Sequence, residues 1–223
     1  MNKWIVNTVA ITAILVSTVA CKGDAKNETD TTHAKEVATP TAQATTYTVD
    51  SAASKITWKG SKPAGTHEGT INVQSGSVQV AADNSITGSF IIAMNSITVT
   101  DLEGDGKASL EAHLKGEAEG KEDHFFNVAK HPTASFEVTG VSEKEGVRTM
   151  QGNLTIKGIT KNIEFPVAYT VGGDTMTLAS KPFTIDRTKW GIEFMSKSVF
   201  DDLKDKFISD DIEIAISIKA KKA

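Results

Sequence analysis

The sequence predicts an all-β domain, an antiparallel sandwich or barrel with one or two short helices. Three observations carry that prediction. Runs in which apolar and polar residues alternate recur along most of the chain, the pattern of half-buried strands. Glycine, asparagine and proline punctuate them at hairpin spacing, giving about eight to ten strands. Only two stretches are spaced as helices.

The alternating region does not start at residue 1. Lys3 is followed by an uncharged, mostly apolar run from Trp4 to Ala20, an n-region and h-region in sequence. Its 17 residues are at the short limit for crossing a hydrocarbon core of about 30 Å. Small residues then precede Cys21, the only cysteine of the chain. The stretch resembles a bacterial lipoprotein signal peptide, with Thr18 where leucine is usual. The resemblance implies cleavage after Ala20, acylation of Cys21, and an exported chain anchored to a membrane, facing the periplasm or on the cell surface. A single cysteine leaves no intramolecular disulfide. Residues 22–46 are polar, with Val37 the one large apolar residue, and read as a flexible tether. The organisation expected is therefore signal 1–20, acylated Cys21 and tether 21–46, domain 47–223.

Within the domain, Lys55–Gly60 alternates with Ile56 and Trp58 on one face. Thr70–Val73 and Ser77–Val80 flank an expected turn at Gln74-Ser75-Gly76. In Ser85–Thr100 the apolar face switches, which predicts a bulge or bend near Asn95. Leu110 and Leu114 predict a helix over about 108–121, and Ser198–Lys206 a second helical turn. The paired aromatics Phe125-Phe126 precede the strand Ala134–Val138. Gly152–Gly158 and Ile163–Val167 are expected to close into a hairpin through Lys157–Asn162. Runs at 167–171, 176–178, 183–186 and 212–218 complete the set.

Net charge is −4, and −5 once Lys3 is lost with the signal, without a basic footprint for nucleic acid. His67, His113, His124 and His131 lack HxH or HExxH spacing, so zinc has little support. The acidic stretch from Asp101 has Ala112 where a calcium loop needs a bidentate glutamate. There is no phosphate-loop ending, no GxSxG elbow and no nominated carboxylate pair. Neither a catalytic residue nor a cofactor is expected, and the chain is read as a non-enzyme.

Three ordered motifs then carry a family resemblance. Leu114-Lys115 through Asp123-His124-Phe125-Phe126 to Pro132-Thr133-Ala134-Ser135-Phe136 resembles the signature that opens this segment in the YceI-like family. Gly152-Asn153-Leu154-Thr155-Ile156-Lys157-Gly158 is similar to its hairpin, and Asp186-Arg187-Thr188-Lys189-Trp190-Gly191 to its Arg-Thr-Lys segment. His131 departs from the usual aromatic before proline. The resemblance, spanning Tyr47 to the C-terminus, implies an extended lipocalin-like antiparallel barrel and, in some members, a bound polyisoprenoid or isoprenoid quinone. On that basis Trp58, Phe90, Phe125, Phe126, Phe136, Phe165 and Trp190 are expected to line a tunnel. Arg187, with His67, would meet a phosphate or quinone head group, unless Arg187 pairs with Asp186 or another acid. The partners expected are an isoprenoid lipid and, through acylated Cys21, a membrane; nucleic acid is excluded and a homodimer left open. Two rival readings are a solidly packed barrel that binds a protein, and a metal-dependent enzyme built on the four histidines.

Overall fold

The computed structural model describes residues 28–40 and 43–223, so the signal segment and Cys21 lie outside the described residues. The strands are β1 (Thr32–His33), β2 (Thr45–Val49), β3 (Lys55–Lys62), β4 (Gly65–Val80), β5 (Ile86–Val99), β6 (Thr133–Lys144), β7 (Val147–Ile156), β8 (Ile159–Gly172), β9 (Thr175–Ser180), β10 (Phe183–Asp186) and β11 (Asp211–Lys222). One α-helix, α1 (Gly104–Lys115), joins β5 to β6.

The strands close on themselves. Antiparallel ladders run from β4 through β5, β6, β7 and β8 to β9, and β9 pairs with β11. On its other edge β11 pairs with β3 and β2, and both of these pair with β4. β2 and β3 are two halves of one wall position, separated by a 3₁₀ turn at Ser51–Ala53. β9 and β10 are likewise successive partners of β11, interrupted at Lys181-Pro182. Closure leaves an interior that side chains fill or that holds one small ligand.

Local sequence explains the ladder. Lys157 and Gly158 both have positive φ (49° and 78°), so the β7–β8 connection is a two-residue turn. The hairpin forms as expected, but Ile159–Asn162 belong to β8 rather than to the hinge. The switch of face near Asn95 is a bulge: Thr70 pairs with Thr98 but Asn72 with Ala93. Ser96 fills it, its hydroxyl donating to Ala93 O (2.6 Å) and accepting from Asn72 N (2.8 Å). The turn expected at residues 74–76 is absent: β4 continues through it with a bulge, Val73 pairing with Ile92 but Ser75 with Ile91. A Cβ on Gly76 would stand 2.7 Å from Ser89 O, so this glycine serves close strand approach. α1 begins earlier than its leucine spacing suggests and ends at Gly116, whose φ of 77° terminates it. Of the second expected helix only a 3₁₀ turn at Lys204–Lys206 forms.

Part of the stretch read as tether is laid against the sheet instead. Below Ser180 the wall would be incomplete, because β10 pairs with β11 but not with β8. Residues 28–33 fill that slot. Glu28 bridges to Thr184 of β10, Thr29 N donates to Thr184 O (2.8 Å), and Thr29 Oγ1 donates to Glu164 O of β8 (2.9 Å). β1 then pairs Thr32 with Asn162 and His33 with Lys161. The chain crosses to Asn153, whose side chain accepts from Lys35 N (3.0 Å) and donates to Lys35 O (2.7 Å), and reaches β6 where Ala38 N donates to Val138 O (3.1 Å). Asn153 and Asn162 are buried beneath this strap and bonded to each other (3.1 Å). Composition hid the strap because its stabilisation is hydrogen bonding to distant strands, not apolar burial.

Candidate functional site

The inward faces of the strands do different work at the two ends of the ring. At one end Val73, Val78, Val138, Met150 and Met176 pack with almost no exposure. Across the middle runs a row of rings: Phe90 to Phe136 (6.4 Å), Phe136 to Phe165 (5.6 Å), and Phe165 stacked on Phe183 (4.4 Å, 6° between planes). Gly152 makes room for this row, since a Cβ there would lie 2.1 Å from Phe136 Cζ. Above it opens a cavity of about 460 Å³, and below it only a void of about 40 Å³. The larger volume falls in the ordinary range of small-molecule sites, about 300–1,000 Å³.

The walls of the cavity are aliphatic and aromatic: Ile56, Trp58 and Ile71 from β3 and β4, Ile92, Met94 and Ile97 from β5, and Ile212, Ile214 and Ile216 from β11. Ile163 and Phe165 of β8 face Phe183 and Ile185 of β10 across the slot that the strap fills. α1 covers one side with Leu110, His113 and Leu114, beside Phe125 and Phe126. Glu111 pins the helix to the end of β5 by accepting from Val99 N (2.8 Å), a bond that holds its carboxyl below the usual range. Polar lining groups gather at the end where the β3–β4 hairpin and the loop before β11 meet: Ser61, Lys62, His67, Lys206 and Ser209.

Beside the mouth, His113 Nε2 lies 2.9 Å from His124 Nδ1, and His124 stacks on Phe194 (3.8 Å). Burial, then the neighbouring His124 and Lys121, hold the His113 imidazole below its ordinary pKa. Among the described residues no three His, Cys, Asp or Glu side chains converge as metal ligands.

Of the seven residues expected to line a tunnel, Trp58, Phe125, Phe126, Phe136 and Phe165 border the cavity, as do the two expected at a head group, His67 and Arg187; Phe90 and Trp190 do not. Phe90 lies in the ring row, facing the lower void. Trp190 is completely buried and donates from Nε1 to Leu154 O (3.1 Å). His67 is held by Asp101 (2.8 Å). Arg187, expected at a head group, is spent on the chain itself. Its Nε donates to Ser209 O (3.0 Å), one terminal nitrogen to Ile192 O (2.6 Å) and the other to Ile208 O (3.0 Å), with Asp210 at 3.5 Å. The pairing with an acid is therefore the arrangement found, and Asp210 is that acid. Burial lowers the guanidinium pKa, opposed by Asp210 and Asp186. The aliphatic lining on β5, α1 and β11 was read only as strand or helix core, because a cavity wall and a packed core share one periodicity.

A closed antiparallel ring with a largely apolar interior and a polar mouth has room for one small ligand. The YceI-like domain family matches residues 47–220, and the chain belongs to that family. A UPF0312 protein of Yersinia pestis is 32% identical over 81 residues, 36% of this chain and 39% of its own length. One from Azotobacter vinelandii is 52% identical over 40 residues, 18% of this chain and 21% of its own. These matches thus span well under half of the curated relatives. In three dimensions the chain is similar to Burkholderia cenocepacia BcnA (TM-score 0.58, 20% identity, 78% of this chain and 99% of that one). It is also similar to a polyisoprenoid binding domain from Saccharophagus degradans implicated in plant cell wall breakdown (TM-score 0.56, 14% identity, 79% and 98%). At these identities the similarity establishes the shared fold.

Proposed function

We propose that this protein binds an isoprenoid lipid, a polyprenyl chain or an isoprenoid quinone, in the cavity above the phenylalanine row, for transport, storage or protection against stress. The cavity itself carries the reading: about 460 Å³ walled by isoleucine, phenylalanine and methionine, with its charged groups confined to the mouth. Apart from the unpartnered indole Nε1 of Trp58, such a surface offers directional partners only at its rim. It holds a hydrocarbon chain by removing apolar area from water, at about 25 cal/mol per Å². The polyisoprenoid binding domain with the same fold supports the choice of an isoprenoid among apolar ligands. A solidly packed interior, the rival arrangement, fits a cavity of this size poorly.

Cys21 is the membrane attachment point of the same proposal. Acyl burial contributes about 0.8 kcal/mol per CH₂, and more than one chain is needed for stable anchoring. Native mass spectrometry and organic extraction of protein purified from its own host test the ligand reading. Recovery of a prenyl lipid is expected, and well-folded protein that yields none would refute it. Cys21→Ala is expected to move the protein out of the membrane fraction; its persistence there would contradict the anchor.

A further inference from the structure

The loop between β10 and β11 carries a feature that ligand enclosure does not use. Its base is rigid. Arg187 ties together Ile192, Ile208 and Ser209, Ile208 N donates to Met195 O (2.8 Å), Ser198 Oγ donates to the Asp210 carboxylate, and Ser196 is completely buried. Its tip is the opposite. Val199 is 43% exposed and Phe200 48%, adjacent in sequence and held only by backbone bonds to Ser196 O. Two adjacent large apolar side chains are thus presented to water from a cross-bonded base, free to bury against a partner.

The position of the tip identifies what it meets. β10 ends and β11 begins at the level of Gly60, close to the tip of the β3–β4 hairpin, so the whole loop stands at the mouth of the cavity. Its inner residues Met195 and Ile208 line that mouth. Ile159, 39% exposed, lies on the same rim, its Cδ1 next to Gly191 at the start of the loop. One loop therefore carries both the apolar residues that line the mouth, Met195 and Ile208, and the exposed pair Val199 and Phe200.

We infer that Val199 and Phe200 dock the mouth onto a lipid bilayer, so that an apolar ligand passes between membrane and cavity without crossing water. Lys197, Lys204 and Lys206 flank the tip and are balanced by Asp201, Asp202 and Asp205, so the tip carries no net charge and its apolar pair is what meets the bilayer. Asp201 and Asp202, directly after Phe200, confine insertion to the interface. The inference rests on the lipid-binding reading above, yet the two are separable by experiment.

The mature chain, residues 21–223 carrying Cys21→Ser and so lacking both the apolar run 4–20 and any acyl anchor, is floated with mixed phosphatidylethanolamine–phosphatidylglycerol vesicles and compared with the same chain carrying Phe200→Asp. Taking about half a phenylalanine out of the interface is expected to weaken vesicle binding roughly tenfold. Uptake of a fluorescent polyprenol from those vesicles should slow by a similar factor, while equilibrium binding of the probe delivered from detergent stays unchanged. Equal flotation of the two proteins would overturn the inference. So would a dimer, abolished by Phe200→Asp, that accounts for the exposed pair. Failure to bind polyprenol by either route would refute the cavity reading and leave the flotation result to judge the rim.

Discussion

Replacing Arg187 with methionine is the most demanding test of how the mouth is built. The substitution keeps much of the buried stem volume and deletes the guanidinium. Three carbonyls, of Ile192, Ile208 and Ser209, lose their donors, and Asp210, itself buried, loses its cation. Breaking a buried ion pair by removing one partner costs about 3–5 kcal/mol. Hydrogen bonds to a charged group contribute about 1.5–3 kcal/mol each, but the losses are not additive, because the loop relaxes and admits water. The ion-pair figure is therefore the working expectation. At about 2–4 °C per kcal/mol for a chain of this size, the melting temperature should fall by about 6–20 °C. Urea unfolding at neutral pH followed by tryptophan fluorescence measures the loss, and adding Asp210→Asn should restore part of it, since the second change removes the stranded charge. A loss below about 1 kcal/mol would refute the account of Arg187 as a loop clamp. Unchanged stability with lost lipid affinity would return this residue to the ligand.

Other outcomes follow from the same contacts. Asn153→Ala removes both bonds to Lys35 and one to Asn162, and should cost about 1–3 kcal/mol; limited proteolysis within residues 28–40 should accelerate, and unchanged cleavage would contradict the docked strap. Phe136→Ala should cost about 3–5 kcal/mol and join the cavity to the lower void, shifting preference toward longer prenyl chains in a competition series. An unchanged length preference would show that the ring row is not the floor. Because burial depresses the folded-state pKa of His113, the unfolded chain binds the proton more tightly. That contribution is complete at pH values above the ordinary histidine pKa of about 6.5 and is lost as pH falls from there through the folded value. Thermal melts across that window should show the slope in the native chain and a shallower one in His113→Gln; equal slopes would exclude this histidine.

Much of the ring was legible in the sequence because strand period, turn chemistry and face switching are local. The two-residue turn at Lys157-Gly158 and the bulge opposite Asn72 leave signatures within a few residues. Gly76 misled because a glycine inside a strand looks like punctuation, and only the distance to Ser89 O reveals its purpose. Phe125, Phe126, Phe136 and Phe165 were legible as lining through bulk and alternation, whereas Phe90, equally bulky, faces the lower void and Trp190 is buried in the core with its indole on Leu154 O of β7. Depth along the barrel axis is a property of register, and no run of alternating residues encodes it. Arg187 looked like a ligand contact for a similar reason: its partners are carbonyls 5 to 22 residues away, and carbonyls have no letter in the sequence.

The docked strap also changes how far the protein can stand from whatever holds its N-terminus. Were residues 22–46 all free, an anchor at Cys21 would leave a leash that extends to about 85 Å. With Glu28 already bonded to the wall, only six residues separate it from Cys21, a reach of at most about 25 Å over seven Cα–Cα steps. An acyl anchor at Cys21, as proposed above, would over so short a span turn the search of the cavity mouth for a bilayer from a diffusion problem into one of rotation on the spot.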